Sequence, residues 1–166
     1  PNIVLSSLVN SESKILFDRE PQTRVAKVAP WLTTDGDPYP VVVGGRVLWI
    51  IDGYTTTNAY PYSSRTTLKD ATTDAITATS SSVATLPSER INYLRNSVKA
   101  VVDAYDGTVT LYAWDTEDPV LTTWSKAFGN TVTALSEAPE ELVAHFRYPE
   151  DLFKVQRTIL SRYHVT

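Results

Sequence analysis

Val41-Val42-Val43, Gly44-Gly45 and Arg46-Val47-Leu48-Trp49-Ile50-Ile51 follow one another without interruption, and that order reads as a β-hairpin. Two adjacent glycines supply the positive φ needed at both central positions of a two-residue turn. The second arm is apolar on both faces from Val47 to Ile51, which places it in the interior of a sheet. Asp52-Gly53 is expected to end it.

The remaining segments supply helices to cover such a sheet. Pro21 suits the first turn of a helix reaching about Val28, and Pro30 stops it. Trp31 and Leu32 then plug the corner, and Thr34-Asp35-Gly36-Asp37-Pro38 is a turn by composition. Ser88 to Tyr105 has the best helical spacing, through Ile91, Leu94, Val98, Val101, Val102 and Tyr105, with Asp106-Gly107 as its stop. Thr108 to Trp114 alternates as a strand. Asp118 is expected to cap a helix that starts at Pro119 and ends at Gly129. Helical pieces follow over 139–145 and 149–163, the second with Leu152, Phe153, Gln156, Ile159, Leu160 and Tyr163 on one side. The expected fold is α+β: a small antiparallel or mixed sheet with a Gly-Gly hairpin, packed against several helices as one domain over residues 1–166.

Between Tyr54 and Leu86 the composition shifts, with ten Thr and five Ser in 33 residues. The first part reads as a long tyrosine-bearing loop and residues 64–86 as a flexible Ser/Thr-rich segment, since loops of this length are functional or disordered. Tyr54, Tyr60 and Tyr62, beside Asp52 and Asn58, form a candidate stacking and hydrogen-bonding surface for a sugar, peptide or protein. Buried tyrosines anchoring a loop would leave the same pattern.

Composition narrows the chemistry. With no Cys and no Met, thiol nucleophiles, disulfides and zinc-thiolate sites are impossible. The two histidines, His145 and His164, accompany no Gly-x-Ser-x-Gly, and no phosphate-cradling glycine motif occurs. No cofactor and no metal site is expected. Scattered cations within a net charge of −4 argue against a nucleic-acid partner. The longest apolar stretch, Pro40 to Ile51, carries Arg46 and falls short of the roughly 20 residues a membrane helix needs, so this chain is not expected to insert into a membrane. Carboxylates remain: Asp37 or Asp52 paired with Asp103 or Asp106 is the alternative, a hydrolase acting on cell-envelope material. Calcium-like ligation by these acids competes with their ordinary work as turn formers and caps.

Several strings are too specific to be generic. They include Ile15-Leu16-Phe17-Asp18-Arg19-Glu20-Pro21, Asp35-Gly36-Asp37-Pro38-Tyr39-Pro40, Val47 through Thr56, Tyr60-Pro61-Tyr62-Ser63, Ile91 through Lys99, Val102 through Val109 and Arg147 through Gln156. In order along nearly the whole chain, they resemble a family of large, uncharacterised, mostly actinobacterial multipass membrane proteins. The resemblance implies a block of membrane helices followed by a large soluble half, of which this chain would be an excised part; the absent initiator methionine fits that. It implies a cell-membrane parent with this domain on the extracytoplasmic side. It brings no agreed activity and no assigned role for Asp37, Asp52, Tyr62, Asp103 or Asp106. The expected function is a ligand- or protein-binding or structural module that does no chemistry itself. Its expected partners are the remainder of its own protein and an envelope protein or glycan.

Overall fold

Gly44 and Gly45 take φ values of 55° and 76°, the left-handed geometry that a residue with a Cβ resists. They join β2 (Tyr39–Val43) to β3 (Arg46–Thr57), with Val43 opposite Arg46 and Tyr39 opposite Ile50. The computed structural model describes residues 19–72, 89–129 and 131–163.

β3 is the spine. One edge of it carries β1 (Thr33–Thr34) and β2 in succession; the other pairs antiparallel with β6 (Tyr93–Asp103). β6 pairs antiparallel with β7 (Val109–Ala113), and β7 pairs in parallel with β8 (Val132–Ala134). The result is a mixed sheet of six strands with helices on both faces. β4 (Thr66–Thr67) and β5 (Arg90–Ile91) form a separate two-stranded ribbon.

The period of two along β3 and β6 sorts the side chains into two cores. One face gives Ile51, Val98, Ala100, Val102 and Leu111 to α1 (Pro21–Val28) and α3 (Pro119–Ala127), which answer with Val25, Ala29 and Leu121. Trp31 stacks on Trp124 beside this core, ring centroids 6.2 Å apart. The other face gives Ile50, Val101 and Tyr112 to Leu142 of α4 (Glu140–Val143) and to a 3-10 turn at Leu135–Glu137. A third cluster joins α2 (Leu68–Thr72) to α5 (Glu150–Ser161) through Leu68, Ala71, Ile91 and Val155.

The expected α+β class holds, and two local expectations change. Residues 88–105 were expected to be a helix, yet 90–91 and 93–103 are strands. Ser97 to Val102 are six consecutive buried residues, and a helix on a domain surface buries only a stripe. The β-branched Val98, Val101 and Val102 suit a pleated surface, so tertiary pairing outweighs the helical spacing. Asp106-Gly107 accordingly closes the β6–β7 turn: Asp103 N–H donates to the Thr108 carbonyl and Gly107 N–H to the Asp103 carbonyl, each at 2.9 Å. Second, β3 does not end at Asp52-Gly53. It runs on to Thr57 through a bulge, Gly53 facing Val98 and Tyr54 facing Asn96, so Tyr54 lies in strand and not in a loop. The apolar side read along α5 faces out: Phe153, Ile159 and Leu160, with Tyr163 just beyond the helix, are exposed, while Asp151 and Val155 are buried. Of the Ser/Thr-rich segment, residues 66–72 form β4 and α2, and 73–86 lie outside the described residues.

Gly53 has a packing reason for having no side chain. A Cβ there would sit 2.6 Å from Leu32 Cδ2 and 3.0 Å from Leu32 Cγ, so the bulge needs glycine for close approach. Gly53→Ala is expected to cost about 1–3 kcal/mol from overpacking. Leu32→Ala should cost about 2–4 kcal/mol as a cavity. In urea unfolding the double variant should fall well short of the sum of the two; additivity would show that the contact does not limit residue 53.

Candidate functional site

Tyr54 and Thr55 are neighbours on β3, so their side chains leave on opposite faces. Each reaches an aspartate that satisfies a helix N-terminus. On the α5 face, Asp35 is 1% exposed, held where its N–H donates to the Asp52 carbonyl at 2.8 Å. Its Oδ2 accepts from the Tyr54 hydroxyl and from Asp151 N–H at 3.0 Å, and its Oδ1 from Asp37 N–H at 2.9 Å. Leu152 N–H donates to the Tyr54 hydroxyl at 3.2 Å. The first turn of α5, whose own N-cap residue Pro149 offers no side-chain bond, is therefore capped by residues about a hundred positions earlier. Asp151 returns the link by accepting from Gly36 N–H at 2.8 Å.

On the α3 face, Asp118 caps its own helix, accepting from Val120 N–H at 2.9 Å. It also accepts from the hydroxyls of Thr55 (2.5 Å), Ser97 (2.6 Å) and Tyr93 (2.7 Å). Burial alone would push its carboxyl up, but these donors together outweigh it and hold the carboxyl below the usual value.

Between the two lies Lys99 of β6, fully buried. Its ammonium donates to Asp52 Oδ1 and, at 2.8 Å, to the Arg147 carbonyl, with the rings of Trp114 and Phe146 at 5.0 and 5.8 Å. Asn96 Nδ2 adds a 3.0 Å bond to the same Asp52 oxygen. Burial pushes the Asp52 carboxyl up, against the pull of Lys99 and Asn96. Burial also raises Asp151, reinforced by the charge of Asp35, and raises Asp37, reinforced by Glu150. Burial and the Asp35 carboxylate push the Tyr54 phenol well up, so it stays a donor.

The residues singled out from sequence divide accordingly. Asp52 and Tyr54 are interior, 3% and 1% exposed, within this network. Asn58, Tyr60 and Tyr62 lie on an exposed loop after β3. Asn92, which sequence reasoning passed over, clamps that loop. Its Oδ1 accepts from Tyr60 N–H (3.1 Å), while its Nδ2 donates to the carbonyls of Tyr60 (2.7 Å) and Ser63 (3.3 Å). Tyr60 stacks on Tyr93 with centroids 5.6 Å apart. Tyr62 stands fully exposed at a φ of 57°, a conformation costly for a bulky side chain.

Asp103 and Asp106 share Arg46: its Nε lies 2.7 Å from the first and its Nη2 3.0 Å from the second. The Arg46 donor holds Asp103 below its usual value; the Thr108 hydroxyl and N–H do so for Asp106. Asp103 faces Leu48 and Asp52 faces Lys99, four residues apart along β3, about 13 Å at strand rise, which is beyond the roughly 5–9.5 Å of working carboxylate pairs. Asp37 is exposed in the turn before β2. Among the described residues, no three His, Asp or Glu are placed to hold a metal ion.

Also missed was a cleft of about 440 Å³ beside Lys99, lined by Arg95, Asn96, Trp114, Phe146, Tyr148 and Gln156 among others. Its signal, the aromatic-rich Phe146-Arg147-Tyr148-Pro149 run, is local, but the Trp114 wall comes from another element.

Fold and sites together define an α+β domain with a clamped aromatic loop and an open mixed-polarity cleft. The chain belongs to UPF0182, an uncharacterised protein family whose model matches residues 1–166. It is 62% identical over 166 residues to a UPF0182 protein of Kineococcus radiotolerans, covering 99% of this chain and 16% of the relative. UPF0182 proteins of Frankia alni and Streptomyces coelicolor are each 59% identical over 99% of this chain, which covers 16% and 17% of their lengths. The chain thus spans about one sixth of the relatives it matches. No solved structure matches it.

The opposed carboxyl shifts predict opposed pH behaviour. Asp118 is lowered, so its stabilisation is present above its unfolded pKa, about 4, and is lost as pH falls through the folded value. Asp118→Asn should therefore cost about 1–3 kcal/mol near neutrality, the gap to wild type closing in acid. Asp37 is raised, so its contribution is present below the unfolded pKa and lost as pH rises through the folded value. Asp37→Asn should be the more stable protein near neutrality and match wild type in acid. Thermal unfolding from acid to neutral pH reads both, and parallel curves would refute the assignment.

Proposed function

We propose that this chain is a protein-binding module of a larger membrane protein. The outer face of α5 seats it on the remainder of its own protein, and the clamped loop presents Tyr62 to an envelope partner. The observation that carries this is an amphipathic helix turned outward, with Phe153, Ile159 and Leu160 at 58%, 43% and 62% exposure. A chain that spans one sixth of its relatives has ample sequence elsewhere to cover such a face, and contiguous exposed apolar side chains mark contact surfaces. The cell-membrane location of the parent and the extracytoplasmic position of this domain rest on the resemblance set out above. No helix among the described residues is long and apolar enough to cross a membrane.

Two experiments separate the surfaces. Phe153→Ser with Leu160→Ser should leave the isolated chain within about 0.5 kcal/mol of wild type, as surface substitutions do. In the full-length protein the same pair should lower thermal stability and abundance clearly; an unaffected full-length protein would refute seating through α5. For the loop, Tyr62→Gly should stabilise the fold by about 1 kcal/mol by relieving the positive φ. Both Tyr62→Gly and Tyr62→Ala should weaken partner capture from native membranes about tenfold or more, while a control change at exposed Val42 should not. Undiminished capture would remove the loop from the proposal.

A further inference from the structure

The cleft beside Lys99 has a chemistry of its own. At about 440 Å³ it lies within the roughly 300–1,000 Å³ of small-ligand sites. One wall is Trp114, 42% exposed, standing edge-on to Phe146 with centroids 5.8 Å apart and an interplanar angle of 88°. The buried Lys99 ammonium sits 5.0 Å from the indole ring, so Trp114 is braced from within. Beside it Arg95 and Asp115 form an ion pair of 2.5 Å, which places donors and an acceptor side by side on one wall.

Asn96, also in the lining, has its Nδ2 committed to Asp52 at 3.0 Å and to the Gly53 carbonyl at 3.4 Å. Those two acceptors fix the amide orientation. Its Oδ1 is left buried and, among the described residues, without a donor.

We propose that this cleft binds a pyranose unit of a carbohydrate, its C–H face against Trp114 and its hydroxyls toward the Arg95–Asp115 pair. A sugar hydroxyl both donates and accepts, which suits a mixed-charge pair. A carboxylate or phosphate would meet the charge of Asp115, and a wholly apolar ligand would desolvate both charges of the pair without replacing their hydrogen bonds. The cleft shares Leu152 and Gln156 with α5, but sugar binding is read on the chain by itself, so it stands or falls separately from docking.

The test is titration of the chain with cellobiose, maltose and N,N′-diacetylchitobiose, read by calorimetry and by the Trp114 indole N–H resonance, with glycerol as control. At least one disaccharide should saturate with a Kd at or below about 1 mM, longer oligomers of that sugar binding as well or better. Trp114→Ala should weaken binding about tenfold or more, and Trp114→Phe should restore most of it. Tyr148→Ala, at a 61% exposed rim position where folding is not at risk, should weaken it severalfold. No saturable response up to roughly 10 mM, a response equalled by glycerol, or one unchanged in both Trp114→Ala and Tyr148→Ala would overturn the proposal.

Discussion

Burying a carboxylate costs several kcal/mol unless donors surround it, and this domain buries Asp35, Asp52, Asp118 and Asp151 around one strand. Each is met by groups that would themselves be costly left alone: the N-terminal N–H groups of α3 and α5, the Tyr54 phenol, the Lys99 ammonium and the Gly36 N–H. The positions of the two helices on the sheet follow from this. α3 is tied to Thr55 and Ser97 through Asp118, and α5 to Tyr54 through Asp35. Removing one member strands its partner in the interior, so the set behaves as a unit.

The same anchoring accounts for the surfaces. Tyr93 donates to Asp118 and carries the stacked Tyr60, so the exposed loop rests on the α3-side network. The cleft rests on the other side, because Lys99 holds both Asp52 and the Arg147 carbonyl and so fixes the 146–149 segment against β6. A strained Tyr62 persists only where its surroundings over-determine it, and the three bonds of Asn92 to the loop backbone do that.

How far the sequence shows this depends on whether the signal is local. The Gly44-Gly45 hairpin, the Pro21 start of α1, the Asp118 cap and the α+β class were readable, because each is set by residues within a few positions of one another. Residues 90–103 were not. Their valines satisfy helical spacing as well as alternation, and Lys99 among them argues for a solvent face unless Asp52 opposite is known. The outward face of α5 escaped for the related reason that amphipathicity shows a helix has two sides and not which side the domain keeps. Here the polar Asp151 is buried along with Val155, its carboxylate accepting from Gly36 N–H. Asn58, Tyr60 and Tyr62 were placed on a loop, but the clamp from Asn92 is a contact across 32 residues.

A hydrophobic pair of similar volume in place of Lys99 and Asp52 would serve stability as well or better on general grounds, so their presence needs another reason. Lys99 donates to the Arg147 carbonyl, and no aliphatic side chain could do that. It also lies near the indole ring of Trp114 and the ring of Phe146, orienting both by cation–π attraction. Asp52 in turn holds Asn96 Nδ2, which is what turns Asn96 Oδ1 away from it. An apolar replacement would fill the space and lose the arrangement of Trp114, Phe146 and Asn96 around the cleft. The buried pair therefore reads as a device for positioning the cleft wall, tolerated at some expense in stability, and the polar interior and the outer surface have one cause.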